Sequence, residues 1–348
     1  MNNFFSKKRV FLTGVCGTVG RELLRQIIFQ KPEEVIGIDN NETELFFLSE
    51  EYGSYPNIRL FLGDVRDATK MDSKMRGVDI VVHAAALKHV ILNERSPVDA
   101  VQTNVQGTQN IINAAITNSV SHVIFTSSDK AVNPTNVMGT TKLLGERLIT
   151  AANAYRRGKD PVFSSTRFGN ILGSRGSVIP IFERQIAAGG PITLTDPEMT
   201  RFIMTIEDAV RLVMESVPLA RGGEVFVTKM PIARIADLAE VMIDELALHY
   251  GYSKTQIKID CIGIKPGEKL YEELISGEET RRTVELENYY VIKPAFASVY
   301  ENVNYIYEGV ISKNIEHPYN SALGTKLSQE ELRNYLINSK CLNTKGLL

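Results

Sequence analysis

The chain has 348 residues, which gives one large domain or two. Hydrophobic residues make up 43% and charged ones 23%, a globular balance that excludes a mostly disordered chain. With 39 Lys and Arg against 41 Asp and Glu, the net charge of −2 excludes the basic excess behind general nucleic-acid binding.

Short β-branched runs alternate with longer amphipathic ones through the first half, the pattern of a parallel sheet flanked by helices. Strands are expected at Arg9 to Thr13, Glu34 to Ile38, Ile58 to Leu62, Asp79 to His83, His122 to Ser127 and Val162 to Arg167. Helices are expected at Val19 to Phe29, Glu42 to Glu50, Pro97 to Asn118 and Val137 to Tyr155. From Phe168 onward Gly169, Gly173, Gly176, Pro180, Gly189, Gly190, Pro191 and Pro197 crowd one stretch and predict loops that shape a pocket. Helices at Ile206 to Val217 and Ile235 to His249 follow, with a strand at Glu224 to Thr228 returning to the first sheet. The tail beyond Arg281 is Tyr-rich and weakly periodic.

Cys16, Cys261 and Cys341 fit neither a disulfide framework nor a zinc-site spacing, so a reducing compartment is expected. The longest apolar run, Val78 to Leu92, is interrupted by His83, Lys88 and His89, and no stretch approaches the roughly 18 apolar residues of a membrane span. A cytoplasmic protein with neither membrane nor nucleic acid as partner is the expectation.

The first strand runs into Gly14, Gly17 and Gly20, spaced Gly-x-x-Gly-x-x-Gly and followed at once by a helical pattern. Glycines allow the tight turn and close backbone approach, and the helix amino terminus attracts a pyrophosphate. Asp39 ends the second strand nineteen residues after Gly20, where an acid binds both ribose hydroxyls. Its charge repels a ribose phosphate, and Asn40 and Asn41 bring no arginine to offset it, so NAD is favoured over NADP. Asp64, before Val65, either accepts from the adenine amino group or caps a helix starting near Ala68. The expected fold is α/β: a Rossmann-type doubly wound parallel sheet over residues 1–168, with a return segment near 203–228, and a smaller, interleaved α/β lobe over 169–348.

The fifth strand ends in Ser128-Asp129-Lys130, followed by Asn133-Pro134 and a helix carrying Met138 and Lys142. Ligands of open α/β sheets sit beyond the carboxyl ends of the strands, which puts Ser128, Asp129 and Lys130 by the cofactor. Here the sequence resembles the UDP-N-acetylglucosamine 4,6-dehydratases, extended short-chain dehydrogenase/reductases of the polysaccharide biosynthesis type. The resemblance covers nearly the whole chain. It rests on His83-Ala84-Ala85-Ala86-Leu87-Lys88-His89-Val90, Thr103-Asn104-Val105-Gln106-Gly107-Thr108 and Ser128 to Asn136. It continues through Arg167-Phe168-Gly169-Asn170, Gly173 to Val178, Pro197-Glu198-Met199-Thr200-Arg201 and Pro266-Gly267-Glu268-Lys269-Leu270.

The resemblance implies a redox-neutral reaction with bound NAD: oxidation at carbon 4 of the sugar, loss of water across carbons 5 and 6, and return of hydride to carbon 6. Lys130 is then the base at carbon 5, and Asp129 the acid for the hydroxyl leaving carbon 6. Lys142 holds the nicotinamide ribose. Met138 stands where the superfamily has tyrosine, so Asp129, or water polarised by Ser128, is expected to take the carbon 4 proton. Thr18, Val19, Asn40, Val65 and Ala84 to Ala86 complete the implied cofactor contacts. Asn170, Ser177, Val178 and Arg201 are implied at the nucleotide diphosphate, with Arg167 and Arg175 as further cationic candidates, and Glu268 at the ribose or base. Lys265 replaces an arginine frequent in relatives, and Lys88 is expected at the sugar or cofactor. His83 and His89 are expected to pack or hydrogen-bond. Family precedent implies a homo-oligomer. The competing readings are a nucleotide-sugar epimerase and a non-enzymatic NAD-binding scaffold.

Overall fold

The computed structural model describes residues 3–155, 161–174, 176–296 and 303–342, so Arg175 lies outside the described residues. Two compact units interleave along the chain: Met1–Phe168, Glu207–Lys229 and Ile275–Pro318 form the first, and Gly169–Ile206, Met230–Leu274 and Tyr319–Leu348 the second. No helix among the described residues is long and apolar enough to cross a membrane.

The first unit is built on one ten-stranded sheet. Strands β1 (Arg9–Thr13), β2 (Glu34–Asp39), β3 (Ile58–Leu62), β4 (Ile80–His83), β5 (His122–Ser128), β6 (Val162–Phe168) and β7 (Val225–Thr228) lie parallel in the order β3-β2-β1-β4-β5-β6-β7. This is the doubly wound order, whose chain reversal between β1 and β4 opens a ligand crevice at the strands' carboxyl ends. The apolar runs of β1 and β4 are buried throughout, as parallel strands covered on both faces must be. The helix Thr18–Phe29 buries Gly20, Leu23, Leu24 and Ile27, one stripe at helical spacing.

Three expectations change. The predicted helix over Pro97 to Asn118 is broken into Pro97–Ala100, a π-helical turn Val101–Gln106 and Gly107–Thr117. In that wide turn Asn104 accepts from Leu87 N at 2.8 Å and donates to Leu87 O at 3.0 Å, so a side chain anchors the loop after β4. The segment 275–318, expected in the second lobe, belongs to the first unit. Tyr289–Ile292 pairs antiparallel with β7, followed outward by Thr283–Leu286 and Val310–Ser312. The return segment accordingly starts at Glu207, because Thr200–Met204 pairs within the second unit.

In the second unit Thr200–Met204 is flanked by Ile232–Arg234 and Asn170–Ile171. The helices Val178–Ala187, Ile235–Leu246 and Gln329–Asn338 share its core through Phe182, Leu238, Met242, Leu332 and Leu336. The first of these helices occupies the stretch expected as loop. Its proline, Pro180, falls in the first turn, where a missing N–H costs nothing.

The late segment is fixed to the first unit by a buried carboxylate. Glu224 accepts from Arg221 N at 2.7 Å, Gly222 N at 2.6 Å and the Tyr307 hydroxyl at 2.7 Å, while burial pushes its pKa up. Tyr307→Phe leaves that carboxylate one donor short and is expected to cost about 1–3 kcal/mol in urea unfolding. An unchanged denaturation midpoint would show that the bond anchors nothing.

Candidate active site

The loop after β1 is shaped by contacts that only glycine permits. Gly14 has φ 70°, and a Cβ there would stand 2.7 Å from Ala85 N. A Cβ on Gly20 would strike the Gly14 carbonyl, so the helix start lies directly on the turn. The loop therefore lies against Ala84 and Ala85 after β4, and Ala85 N also donates to Thr13 Oγ1 at 3.2 Å. Thr18 and Val19 open the helix in its first turn, with Gly17 at the cap and no side chain bonded across it. That leaves backbone N–H groups at a helix amino terminus, the usual seat of a phosphate.

Asp39 ends β2 and holds the loop: Oδ2 accepts from Cys16 N at 2.9 Å and Oδ1 from Asn41 N at 3.0 Å. Asp64 does not cap a helix. Asp67 caps Ala68–Lys74 by accepting from Lys70 N at 2.9 Å. Asp64 instead pairs with Arg66 at 2.7 Å and accepts from Asn40 at 3.2 Å, and the Arg66 bonds draw its pKa down to about 2. Val65 is buried behind it and meets Gly107, where a Cβ would stand 2.6 Å from Val65 Cγ2.

Beyond β5, Asp129 and Lys130 enter a short 3-10 turn, Asp129–Ala131. Gly139 lets this turn lie against the start of the Val137–Ala152 helix, since a Cβ there would strike Lys130 O. Asn133 closes the turn at φ 45°, a region that asparagine tolerates better than most residues. The carboxylate of Asp129, 1% exposed, is divided in its bonding. Oδ1 accepts from Ser128 Oγ at 2.7 Å, Lys130 N at 2.8 Å and Lys130 Nζ at 3.1 Å. Oδ2 is buried with no hydrogen-bond partner among the described residues. Lys130, by contrast, leaves 27% of its side chain open to solvent. Acid and amine are thus neighbours, with one carboxylate oxygen unspent.

Asn136 caps the following helix by accepting from Gly139 N at 2.8 Å, and Glu94 accepts from Val137 N at 2.6 Å. This fixes Met138 and Lys142 on one face, both buried. Met138 has a thioether and no acidic proton. Lys142 Nζ donates to Thr126 O at 2.9 Å and lies 4.6 Å from the Phe125 ring centre. Burial pushes its pKa down to about 8 against the pull of Glu146. Asn104 reaches the same helix, donating to Thr141 Oγ1 at 3.0 Å. Asn104 carries no role in the sequence reading, since it sits in the polar run Gln102-Thr103-Asn104 and nothing in that run marks it as the anchor.

Arg167 is not a diphosphate ligand in this structure. It is fully buried, paired to Glu146 and Glu279 at 2.8 Å each. His83 on β4 bridges β1 and the helix Gly107–Thr117, its ring nitrogens 2.7 Å from Thr13 Oγ1 and 3.2 Å from Thr108 Oγ1.

In the second unit Ser177 precedes Val178–Ala187 as its cap, yet its hydroxyl makes no capping bond. Val178 opens that helix and Asn170 lies in the strand Asn170–Ile171. Arg201 is buried and donates to the carbonyls of Thr200 at 2.7 Å, Leu270 at 3.2 Å and Lys269 at 2.8 Å. It therefore pins the 269–270 backbone beside Glu268, whose carboxylate accepts from the backbone N of the exposed Lys265 at 3.2 Å. Lys88, in the first unit, is exposed.

Burial, helped by the Lys142 charge, pushes the His83 pKa down from 6.5 to about 3. The unfolded chain then binds the proton that the folded one refuses, so stability from this group is full above 6.5 and drains away as pH falls toward about 3. Urea unfolding is expected to show lower stability at about pH 5 than at about pH 7, and His83→Gln should flatten that slope. An equal slope in the variant would contradict this.

A model of the family described as polysaccharide biosynthesis protein matches residues 10–294. An uncharacterized membrane protein of Methanocaldococcus jannaschii is 47% identical over 97% of both chains. A UDP-N-acetylglucosamine 4,6-dehydratase (inverting) of Campylobacter jejuni is 40% identical over 85% of both. A UDP-glucose 4-epimerase of Rickettsia canadensis is 38% identical over 96% of both. Among solved structures, Pen from Bacillus thuringiensis superposes with a TM-score of 0.90 at 42% identity, covering 98% of this chain and 100% of that one. The chain belongs to this polysaccharide biosynthesis family of extended short-chain dehydrogenase/reductases, as its motifs implied.

Proposed function

We propose that this chain, which stands among nucleotide-sugar dehydratases and epimerases, is an NAD-dependent UDP-N-acetylglucosamine 4,6-dehydratase. The observation that carries the reading is the Asp129–Lys130 pair. Epimerisation at carbon 4 needs one proton acceptor there, whereas loss of water also needs a base at carbon 5 and an acid at carbon 6. An amine 3.1 Å from a buried carboxylate supplies both.

The loop fits a dinucleotide: Gly14 and Gly20 let the turn pack against Ala85 and the helix start, which sets the backbone N–H groups of the helix amino terminus at the turn where a pyrophosphate would sit. Asp39 and Asn40 would hold the adenosine ribose, Asp64 the adenine amino group and Lys142 the nicotinamide ribose. The Asp39 charge disfavours a phosphate on that ribose, hence NAD. NAD, when bound, supplies a hydride acceptor for carbon 4 and a hydride donor for carbon 6.

The chain's own residues move the protons. Asp129 Oδ2 takes the proton of the carbon 4 hydroxyl, the task a phenol at position 138 would otherwise perform. The neutral carboxyl no longer supports the Lys130 ammonium, which loses its proton through its solvent-open side. Lys142, and any positive charge on the cofactor, favour the same loss. The free amine removes the carbon 5 proton, made acidic by the ketone at carbon 4. Asp129 returns its proton to the hydroxyl departing carbon 6 as water. Lys130 finally gives a proton back to carbon 5 and is recharged from solvent. Each group gives what it took, and one water leaves. In this reading the Val178–Ala187 amino terminus, Asn170 and Ser177 support the diphosphate. Arg201 acts by pinning the strand end and Lys269–Leu270, beside Lys265 and Glu268.

Incubation with UDP-N-acetylglucosamine and NAD, followed by mass spectrometry, is expected to show loss of one water. Unchanged mass with altered stereochemistry would select the epimerase reading, which the Rickettsia relative supports, and no change would overturn both. Asp129→Asn and Lys130→Met should each reduce kcat by at least roughly 100-fold. Activity retained in either would remove that residue from the scheme.

A further inference from the structure

We propose that Glu146, Arg167 and Glu279 form a positioning chain of buried charges that keeps Lys142 an ammonium. The inference deepens the reading of Lys142 as the cofactor-ribose ligand and rests on it, but the chain of charges is a property of the protein alone.

Lys142 is 5% exposed and, among the described residues, makes no ion pair within 4.0 Å; its amine has only the Thr126 carbonyl and the Phe125 ring face. A lysine so placed loses its proton easily unless a counter-charge lies nearby. Ionisable groups on the elements packed against its helix are Asp129 and Lys130 on the turn, His122 on β5, Arg167 on β6, Glu94 and Arg95 on Val90–Arg95, Asp99 on Pro97–Ala100, and Tyr155 on the turn Asn153–Tyr155. His83 stands on β4, and Glu146 and Arg147 on the helix itself. Of all these, Glu146 is the one whose charge acts on Lys142, from one turn further along the same helix.

Glu146 is itself 2% exposed, and a carboxylate buried so deeply needs a partner for its oxygens. Arg167 holds it with two bonds, Nε to Oε1 at 2.9 Å and Nη2 to Oε2 at 2.8 Å. An unopposed guanidinium would, however, cancel the field of Glu146 at Lys142. Glu279 prevents this, accepting from Arg167 Nη1 at 2.9 Å and Nη2 at 2.8 Å. Glu279 resists protonation too: burial opposes its charge, but Arg167 and the Ser276 amide bring its pKa down to about 2. The signs alternate from Lys142 outward, and each link removes the objection to the one before. Stability alone is a poor reason for such a chain, since buried ion pairs are often no better than apolar packing.

The test is to label lysine side chains with 13C at Cε and follow the Lys142 resonance, assigned with Lys142→Arg, against pH by NMR in the cofactor-free protein. The native amine is expected to titrate near about 8. In Glu146→Gln the midpoint should fall by about one pH unit, a tenfold loss of proton affinity, and in Glu279→Gln by less in the same direction. Should Glu146→Gln fail to fold, Glu279→Gln carries the test by itself, because it leaves Arg167 unopposed beside Glu146 and is expected to lower the midpoint. A lowered melting temperature with an unmoved Lys142 midpoint would show a purely structural triad and overturn the inference. Because no turnover is involved, a native protein that dehydrates no nucleotide sugar yet shows the shift would contradict only the proposed function.

Discussion

The account depends on how one carboxylate divides its bonds. Asp129 is nearly out of solvent, and a carboxylate there normally fills both oxygens. Three donors converge on Oδ1 while Oδ2 is left without a protein partner among the described residues. Ser128, the turn amide and Lys130 together fix the plane of the group, so the unspent oxygen has a set direction. That division stores desolvation cost at one atom, where a hydroxyl of a ligand would relieve it.

The neighbourhood is arranged around buried polar and charged groups. His83 is held neutral between two hydroxyls, Lys142 is buried against an aromatic face, and Met138 brings no proton of its own. Removing a phenol from such a site takes away an acid and base without leaving a gap, since the methionine fills the volume. In the proposed scheme the proton work falls to groups that are one residue apart on a turn held by Gly139 and Asn133.

Much of this was legible before any coordinates. Glycine spacing, an acid at the end of β2 and a polar triplet after β5 fixed the doubly wound half, because parallel strands buried on both faces advertise themselves as apolar runs. The antiparallel strands at Thr283–Leu286 and Tyr289–Ile292 carry Glu285, Tyr289 and Tyr290, only partly buried, so their periodicity is weak. Arg167 misled because its motif gives no sign of Glu279, 112 residues later, closing over it. Pro180 misled because a proline in a first turn looks like a breaker. The π-helical turn around Asn104 has no sequence signature beyond a buried polar residue, and of the two readings of Asp64 the helix cap falls away because Asp67 stands three residues nearer the helix.

The most direct measurement is a crystal structure of the chain with NAD and a UDP-hexosamine. The account predicts Asp129 Oδ2 within about 3.2 Å of a hydroxyl on carbon 4 or carbon 6 of the sugar, with Lys130 Nζ facing carbon 5. A sugar bound with Asp129 Oδ2 turned to protein or to bulk solvent, and Lys130 remote from carbon 5, would contradict it.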